Sequence, residues 1–158
     1  MNLYSLIKPW LFAMDAERAH NLTLKSLKMA QQMGLTSFIT PPTVLDSYHC
    51  CGLHLKNRVG LAAGLDKDGK YIDALATLGF GFMEIGTVTP KPQPGNPFPR
   101  MFRLPQAHAI INRMGFNNVG AVQAAKNLSQ RKSNIIVGGN IGKNKVTPNE
   151  EAVKDYEM

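Results

Sequence analysis

Three short apolar runs, each giving way to a glycine-rich polar segment, constrain this chain more than any other feature. Residues 59–62 (VGLA) lead into AGLDKDG at 63–69, 82–85 (FMEI) lead into GTVT at 86–89, and 134–138 (NIIVG) lead into GNIGKN at 139–144. Helical patterns at 71–78 and 118–130 lie between them. Strands that are apolar throughout, separated by helices, predict a parallel sheet built from βα units. Chemistry in such folds gathers at the C-terminal strand ends. Three successive ends rich in glycine and hydrogen-bonding side chains predict a bound planar or phosphorylated ligand.

Residues 1–40 read as two helices. Leu3, Leu6, Ile7, Trp10, Leu11 and Met14 form one helical stripe, and Pro9 predicts a kink or restart within it. Asp15 is placed to cap a second helix, with Glu17 near its positive end. Ala19, Leu22, Ser26, Met29 or Ala30, and Met33 continue one face, and Gly34 suits the C-cap. Pro41-Pro42 marks a linker. Residues 51–55 read as a short strand. The proline-rich stretch 90–99 is an excursion before a hairpin from 101 to 112. Thr147, Pro148 and Glu150 predict a capped helix over 148–158.

With 44% hydrophobic and 18% charged residues, the chain can bury a core. No apolar run reaches the ~20 residues of a membrane-spanning helix. The net charge is +7, yet the basic residues are scattered without interleaved aromatics, which argues against a nucleic-acid partner. Cys50 and Cys51 are adjacent and staple no loop, so a disulfide scaffold is excluded. With His49 and His54 they suggest a metal cluster, but the spacing does not match a zinc site, and no metal is expected. The N-terminus shows no secretory pattern. Gly138 to Lys143 resembles a phosphate loop but has three residues between its glycines, and Asn144 stands where a hydroxyl belongs. Lys67, flanked by Asp66 and Asp68, is either a solvated charge at a helix start or a fixed cation that neutralises an electron-rich ring edge or a substrate carboxylate. Asn112, Asn117, Asn118 and Asn140 are neutral groups able to read imide or amide edges.

The strings GLAAGLDKDG at 60–69, EIGTVTPKPQPGN at 84–96, INRMGFNN at 111–118 and NIGKNK at 140–145 together resemble the dihydroorotate dehydrogenases. The opening, with Asp15, Glu17, Arg18, Ala19 and His20 ahead of the barrel, is similar to the quinone-dependent, membrane-associated class 2 of that family. The resemblance implies the N-terminal part of a (β/α)8 TIM barrel preceded by a two-helix membrane-associating extension, the barrel being incomplete within this chain. It divides the chain at 1–40, an amphipathic hairpin forming a membrane and quinone lid, and 41–158, the first part of an FMN-binding barrel. It implies oxidation of dihydroorotate to orotate in pyrimidine biosynthesis, with FMN as cofactor and a membrane quinone as acceptor. The enzyme would be peripheral, on the cytoplasmic side of the inner membrane. By the same resemblance Ala63, Gly64, Leu65, Asp66, Lys67, Thr87 and Asn140 line the flavin. Lys67, Asn112, Arg113, Met114, Gly115 and Phe116 meet the substrate.

The family's base, a serine in a Ser-Pro-Asn-rich motif, is expected beyond Met158, so no catalytic base is assigned within these residues and the chain alone is expected to be inactive. Its 158 residues fall short of the ~250 of a complete barrel, and three strands cannot close an eight-stranded sheet. A competing expectation is a non-catalytic module that binds the membrane surface through residues 1–40. A nucleotide-phosphate binder at Gly138 to Lys143 fares worst on spacing.

Overall fold

The computed structural model describes residues 3–38, 40 and 45–157. The expected linker at Pro41-Pro42 and the end of the last helix at Met158 lie outside them. Helix α1 (Leu3–Ala13) runs through Pro9, so of the expected kink or restart the restart does not occur. The proline removes a single bond to the carbonyl of Ser5, which is exposed and open to water. Asp15 caps α2 (Ala16–Gln32), its Oδ1 accepting the Arg18 N–H at 2.9 Å. Met33 is the C-cap; Gly34 follows at φ 72° and donates its N–H to the Gln31 carbonyl, the left-handed step that glycine takes without strain.

The stripe of α2 that the spacing singles out is only partly the buried one. Ala19 is buried, but Leu22, Met29 and Met33 are exposed, while Leu24 is buried and Leu27 packs beside it. A neighbouring stripe, through Leu24 and Leu27, closes the core formed with Ile72, Leu75, Met83, Ile85 and Ile135. Both stripes are apolar, and contact with α3 (Ile72–Ala76) decides between them. Among the described residues no helix is long and apolar enough to cross a membrane.

Strands β1 (Tyr48–Cys50) and β2 (Leu53–Leu55) form an antiparallel hairpin. The expected strand starts later than predicted because Cys51 and Gly52 are its turn, both at positive φ (50° and 78°), as two-residue hairpins require. The parallel sheet follows in spatial order β3 (Gly60–Leu61), β4 (Phe82–Val88), β7 (Ile136–Ile141), with Phe82 opposite both Gly60 and Ile136. Along β4, Met83 and Ile85 are buried in the helix-covered core, whereas Phe82 and Glu84 on the other face are half-buried. The antiparallel pair β5 (Met101–Leu104) and β6 (Ala109–Asn112) forms the expected hairpin, and α4 (Ala121–Ser129) returns the chain to β7. Among the described residues the parallel sheet has three strands and does not close on itself.

The last expected helix is a short 3-10 turn (Asn149–Glu151) followed by α5 (Ala152–Tyr156), without a side-chain cap. The expected capping box does not form. The Asn144 N–H, donated to Asp155 Oδ2 at 2.7 Å, and the nearby Thr147 hydroxyl hold that carboxyl below its ordinary pKa. Gly138 and Gly139 lie inside β7, paired with Glu84 and Ile85, so the phosphate-loop resemblance corresponds to extended strand.

Candidate active site

Because β3, β4 and β7 run parallel, their C-terminal ends open on one side, and the three glycine-rich segments meet there. The loop after β3 is ordered from within. Asp66 is buried, and its carboxylate accepts the N–H groups of Lys70 (2.9 Å) and Tyr71 (2.7 Å). Burial raises its pKa, and those two bonds oppose the rise. Lys67, the next residue, reaches the cleft: its Nζ donates to Asn117 Oδ1 at 2.7 Å. Burial lowers the Lys67 pKa and the Arg100 charge adds to this, while Glu17 and Asp68 act in the other direction.

The middle segment depends on a bulge. The β4–β7 register shifts between Ile85 and Val88. Gly86, at φ 114°, donates to the Asp66 carbonyl and accepts from the Gly64 N–H. A Cβ on Gly86 would strike the Asn140 carbonyl oxygen, so only glycine lets the two strand ends approach. The bulge aims Thr87 at β7, where its hydroxyl donates to Asn140 Oδ1 at 2.6 Å. That bond fixes the amide orientation and leaves the Asn140 NH2 group as the available donor.

The cleft has a volume of about 460 Å³ and is lined by His20, Ala63, Gly64, Lys67, Thr87, Met101, Asn112, Met114, Gly115, Phe116 and Asn140. A second cavity of about 500 Å³ shares Thr87, Gly115, Phe116 and Asn140 and extends along the end of β7 to Lys143 and Tyr156. One wall is strand ends. The other, the segment 112–116, continues from the end of β6 and is held by backbone bonds together with a chain of side-chain contacts that starts at Arg100. Buried Arg100 forks onto Glu17 of α2, with Nη2 at 2.7 Å from Oε1 and Nε at 3.0 Å from Oε2. Its remaining nitrogen, Nη1, donates to the carbonyls of Pro94 (2.7 Å) and Asn96 (3.1 Å). Asn96 in turn donates its N–H to the Met114 carbonyl and its Nδ2 to the Arg113 carbonyl. Helix α2 is thereby tied to the far wall through one ion pair.

Of the residues singled out from sequence, Ala63, Gly64, Lys67, Thr87, Asn112, Met114, Gly115, Phe116 and Asn140 line this cleft. Leu65, Asp66 and Arg113 do not. Leu65 packs against the core. The Asp66 carboxylate is used up on backbone N–H groups, and the Arg113 guanidinium is turned onto the Pro99 carbonyl at 3.0 Å. Asn118 is buried and committed to Thr89, Phe116 and Gly120, a brace rather than a recognition edge. Sequence reasoning missed His20 and Met101 as lining residues and the Glu17–Arg100 pair altogether. Two residues 83 apart leave no local pattern that pairs them. His20 is half-buried, and burial first, then the Lys67 charge, lowers its pKa.

A separate cavity of about 520 Å³ lies between α1 and the β5–β6 hairpin, lined by Tyr4, Lys8, Phe12, Arg103, Leu104, Pro105, His108, Ala109 and Ile110. Arg103 bridges the two elements, donating to the Met14 carbonyl at 2.8 Å and lying 4.8 Å from the Phe12 ring centroid.

Comparison with known proteins agrees with this geometry. The dihydroorotate dehydrogenase family profile matches residues 46–158. A protein of Polynucleobacter asymbioticus named dihydroorotate dehydrogenase (quinone) is 58% identical over 156 residues, 97% of this chain and 45% of that protein. A protein of the same name from Janthinobacterium sp. (strain Marseille) is 60% identical over 158 residues, 98% of this chain and 46% of its own length. The solved structure of ligand-free DHODH from Eimeria tenella superposes with a TM-score of 0.67 at 38% identity, covering 89% of this chain and 40% of that one. The chain thus spans a little under half the length of the curated relatives it matches. With the family profile covering everything from the β1–β2 hairpin onward and the near relatives reaching through both N-terminal helices, the chain belongs to the dihydroorotate dehydrogenase family.

Proposed function

We propose that this chain forms the N-terminal part of an enzyme that oxidises dihydroorotate to orotate in pyrimidine biosynthesis and passes the electrons to a membrane quinone. The observation that carries the reading is the convergence of Lys67, Thr87 and Asn140, from three parallel strand ends, on one cleft. The donor set suits FMN. Gly64 sits at φ 112° with open space where a Cβ would stand, so a flat ring can approach the backbone there. The Lys67 ammonium and the Asn140 NH2 group offer a cation and a neutral donor to an electron-rich ring edge. Ala63, Gly64, Lys67, Thr87 and Asn140 would hold the cofactor, with Leu65 and Asp66 shaping the loop from behind. FMN, when bound, supplies the two-electron acceptor for hydride leaving the substrate.

The chain's own residues do the rest. Lys67, held by Asn117, keeps a proton at Nζ and presents positive charge in a half-buried site, where charge interactions are stronger than in water. Asn112 and the segment Arg113, Met114, Gly115 and Phe116 would cover dihydroorotate, with the Asn112 amide able to read its imide edge. The base that takes the substrate proton would be a serine beyond Met158, so the 158 residues alone are expected to give no turnover. We assign residues 1–40 to the membrane-facing part and 41–158 to the flavin-binding part. The exposed Leu6, Ile7 and Trp10 of α1 suit the surface of the inner membrane on its cytoplasmic side. The cavity beside α1 suits an apolar quinone.

The test is the visible spectrum and dihydroorotate:quinone activity of the full-length protein that carries this sequence. A flavin spectrum with dihydroorotate-dependent quinone reduction supports the reading; a colourless, inactive full-length protein sinks it. The exposed face of α1 also favours a second reading, a membrane-surface module without chemistry. Vesicle co-sedimentation that depends on residues 1–40, in a protein binding no flavin, would establish that one instead.

A further inference from the structure

Residues next to each other in a strand point to opposite faces. Cys50 and Cys51 escape this rule. Cys50 is the last residue of β1, opposite Leu53, and Cys51 is the first residue of the turn, at φ 50°. The left-handed step at Cys51 swings its side chain round, so the two sulfurs lie 3.7 Å apart. Both side chains are exposed, and neither takes part in the cleft or the core. The Cys50 thiol donates to Cys51 Sγ, and that bond, followed by the Cys51 charge, keeps the Cys50 pKa above its ordinary value.

The separation selects the class of ligand. Adjacent residues stand about 3.8 Å apart at Cα, short of the ~4.4–6.8 Å of ordinary disulfides, so a direct bond between these two sulfurs is disfavoured. Two sulfurs bound to one pyramidal trivalent centre, whose bond angles are near a right angle, stand a little closer than the 3.7 Å observed, a gap that a small χ1 rotation at either cysteine closes. The hairpin contributes two sulfurs and no more. His49 pairs across the ladder with His54, their rings 4.5 Å apart, and strand alternation puts His49 on the face opposite Cys50. Among the described residues no group of three or more histidine, cysteine or carboxylate side chains is placed to hold a metal ion. A closed zinc site wants four protein ligands. A centre that needs only two sulfurs fits instead.

We propose that Cys50 and Cys51 form a preorganised dithiol site for trivalent arsenicals. With phenylarsine oxide, two As–S bonds form and the arsenic–oxygen bond breaks. The two thiol protons leave with that oxygen as one water, and arsenic stays trivalent, so no oxidant or reductant is needed. Chelation by both sulfurs distinguishes the site from any single exposed cysteine, because closing the second bond is intramolecular and opposes displacement by monothiols. The proposal rests on the hairpin and is independent of the flavin reading.

The experiment treats the reduced full-length protein with one equivalent of phenylarsine oxide in excess glutathione, followed by intact mass and peptide mapping. The expected result is one phenylarsenic group on the peptide containing residues 48–55, retained against glutathione and released by dithiothreitol. Cys50→Ser and Cys51→Gly should each lose the retained adduct; glycine suits the positive φ at 51, so the second variant keeps the turn. No retained adduct on that peptide in the unaltered protein would overturn the proposal, as would an adduct surviving glutathione in either variant.

Discussion

The two walls of the cleft are built by different means. The strand-end wall, with Ala63, Gly64, Thr87 and Asn140, is anchored by the β3–β4–β7 ladder and by the exchange of bonds among Gly64, Gly86 and Asp66. The opposite wall, at 112–116, has a ladder only at Asn112, the end of β6; beyond it the segment hangs on separate bonds, with Arg113 donating to the Arg100 carbonyl, Asn96 holding Arg113 and Met114, and Arg100 clamping the Pro94 and Asn96 carbonyls. The first wall can move only if the sheet deforms. The second has one of its supports, the Glu17–Arg100 pair, in the N-terminal helix α2. Opening that pair should therefore loosen 112–116 more than the strand ends.

The sharpest way to break this contrast is Arg100→Ala, which leaves Glu17 buried and unpaired. Loss of one partner of a buried pair costs about 3–5 kcal/mol. Chemical denaturation of the full-length protein should show a loss of that size, and amide exchange should quicken at 112–116 but not at 63–67. Equal quickening at both segments would mean the walls are not separately supported. Glu17→Ala should produce much the same loss, and the double variant little more than either single one, since both remove the same interaction.

Next in size is Lys67→Ala, which tests the stiff wall's chemistry. Under the proposed function it should slow flavin reduction by dihydroorotate roughly 10²–10³-fold, the usual cost of removing one preorganised donor. Rapid-mixing spectroscopy measures this directly, and near-normal reduction would remove Lys67 from the site. Thr87→Val should have a smaller effect, about 0.5–1.5 kcal/mol, or several-fold in flavin affinity. It removes only the bond that orients Asn140, so unchanged affinity in a fluorescence titration would show that the bulge alone sets that amide.

The smallest effect concerns His20, at the rim between the walls. Its folded pKa lies below the ordinary 6.5, chiefly through burial, so the unfolded chain binds the proton more readily. Stability from this group is complete above that ordinary value and is lost as pH falls through 6.5 toward the lowered one. His20→Gln should flatten the fall in thermal midpoint between neutral and mildly acidic pH. An unchanged slope would place the titration elsewhere.

Much of this architecture is written in local patterns. The alternation of apolar runs and glycine-rich segments marks three parallel strands and the side on which they open. Asp15 announces the start of α2 through its own capping chemistry, and DKD at 66–68 marks the loop that carries Lys67. Turn chemistry is less legible. Cys51 is not a residue one reads as left-handed, so β1 goes unseen and β2 is read two residues too long. At Pro9 the helix continues without a restart, because a short exposed helix accommodates the missing bond.

The amino-acid sequence by itself determined the order of the elements and the polar character of the strand ends, because each depends on neighbours in the chain. Most of the residues that face the cleft were legible through the resemblance of whole motifs to a known family. Tertiary structure alone decided three things. It chose the Leu24–Leu27 stripe of α2 for burial over the equally apolar Leu22–Met29 one. It turned Asp66 and Arg113 away from the cleft to satisfy backbone groups. It joined Glu17 to Arg100 across 83 residues. Periodicity reports which faces a helix can bury and which charges it carries. Which face meets the sheet, and which opposite charge waits there, follows only once distant segments are packed against each other.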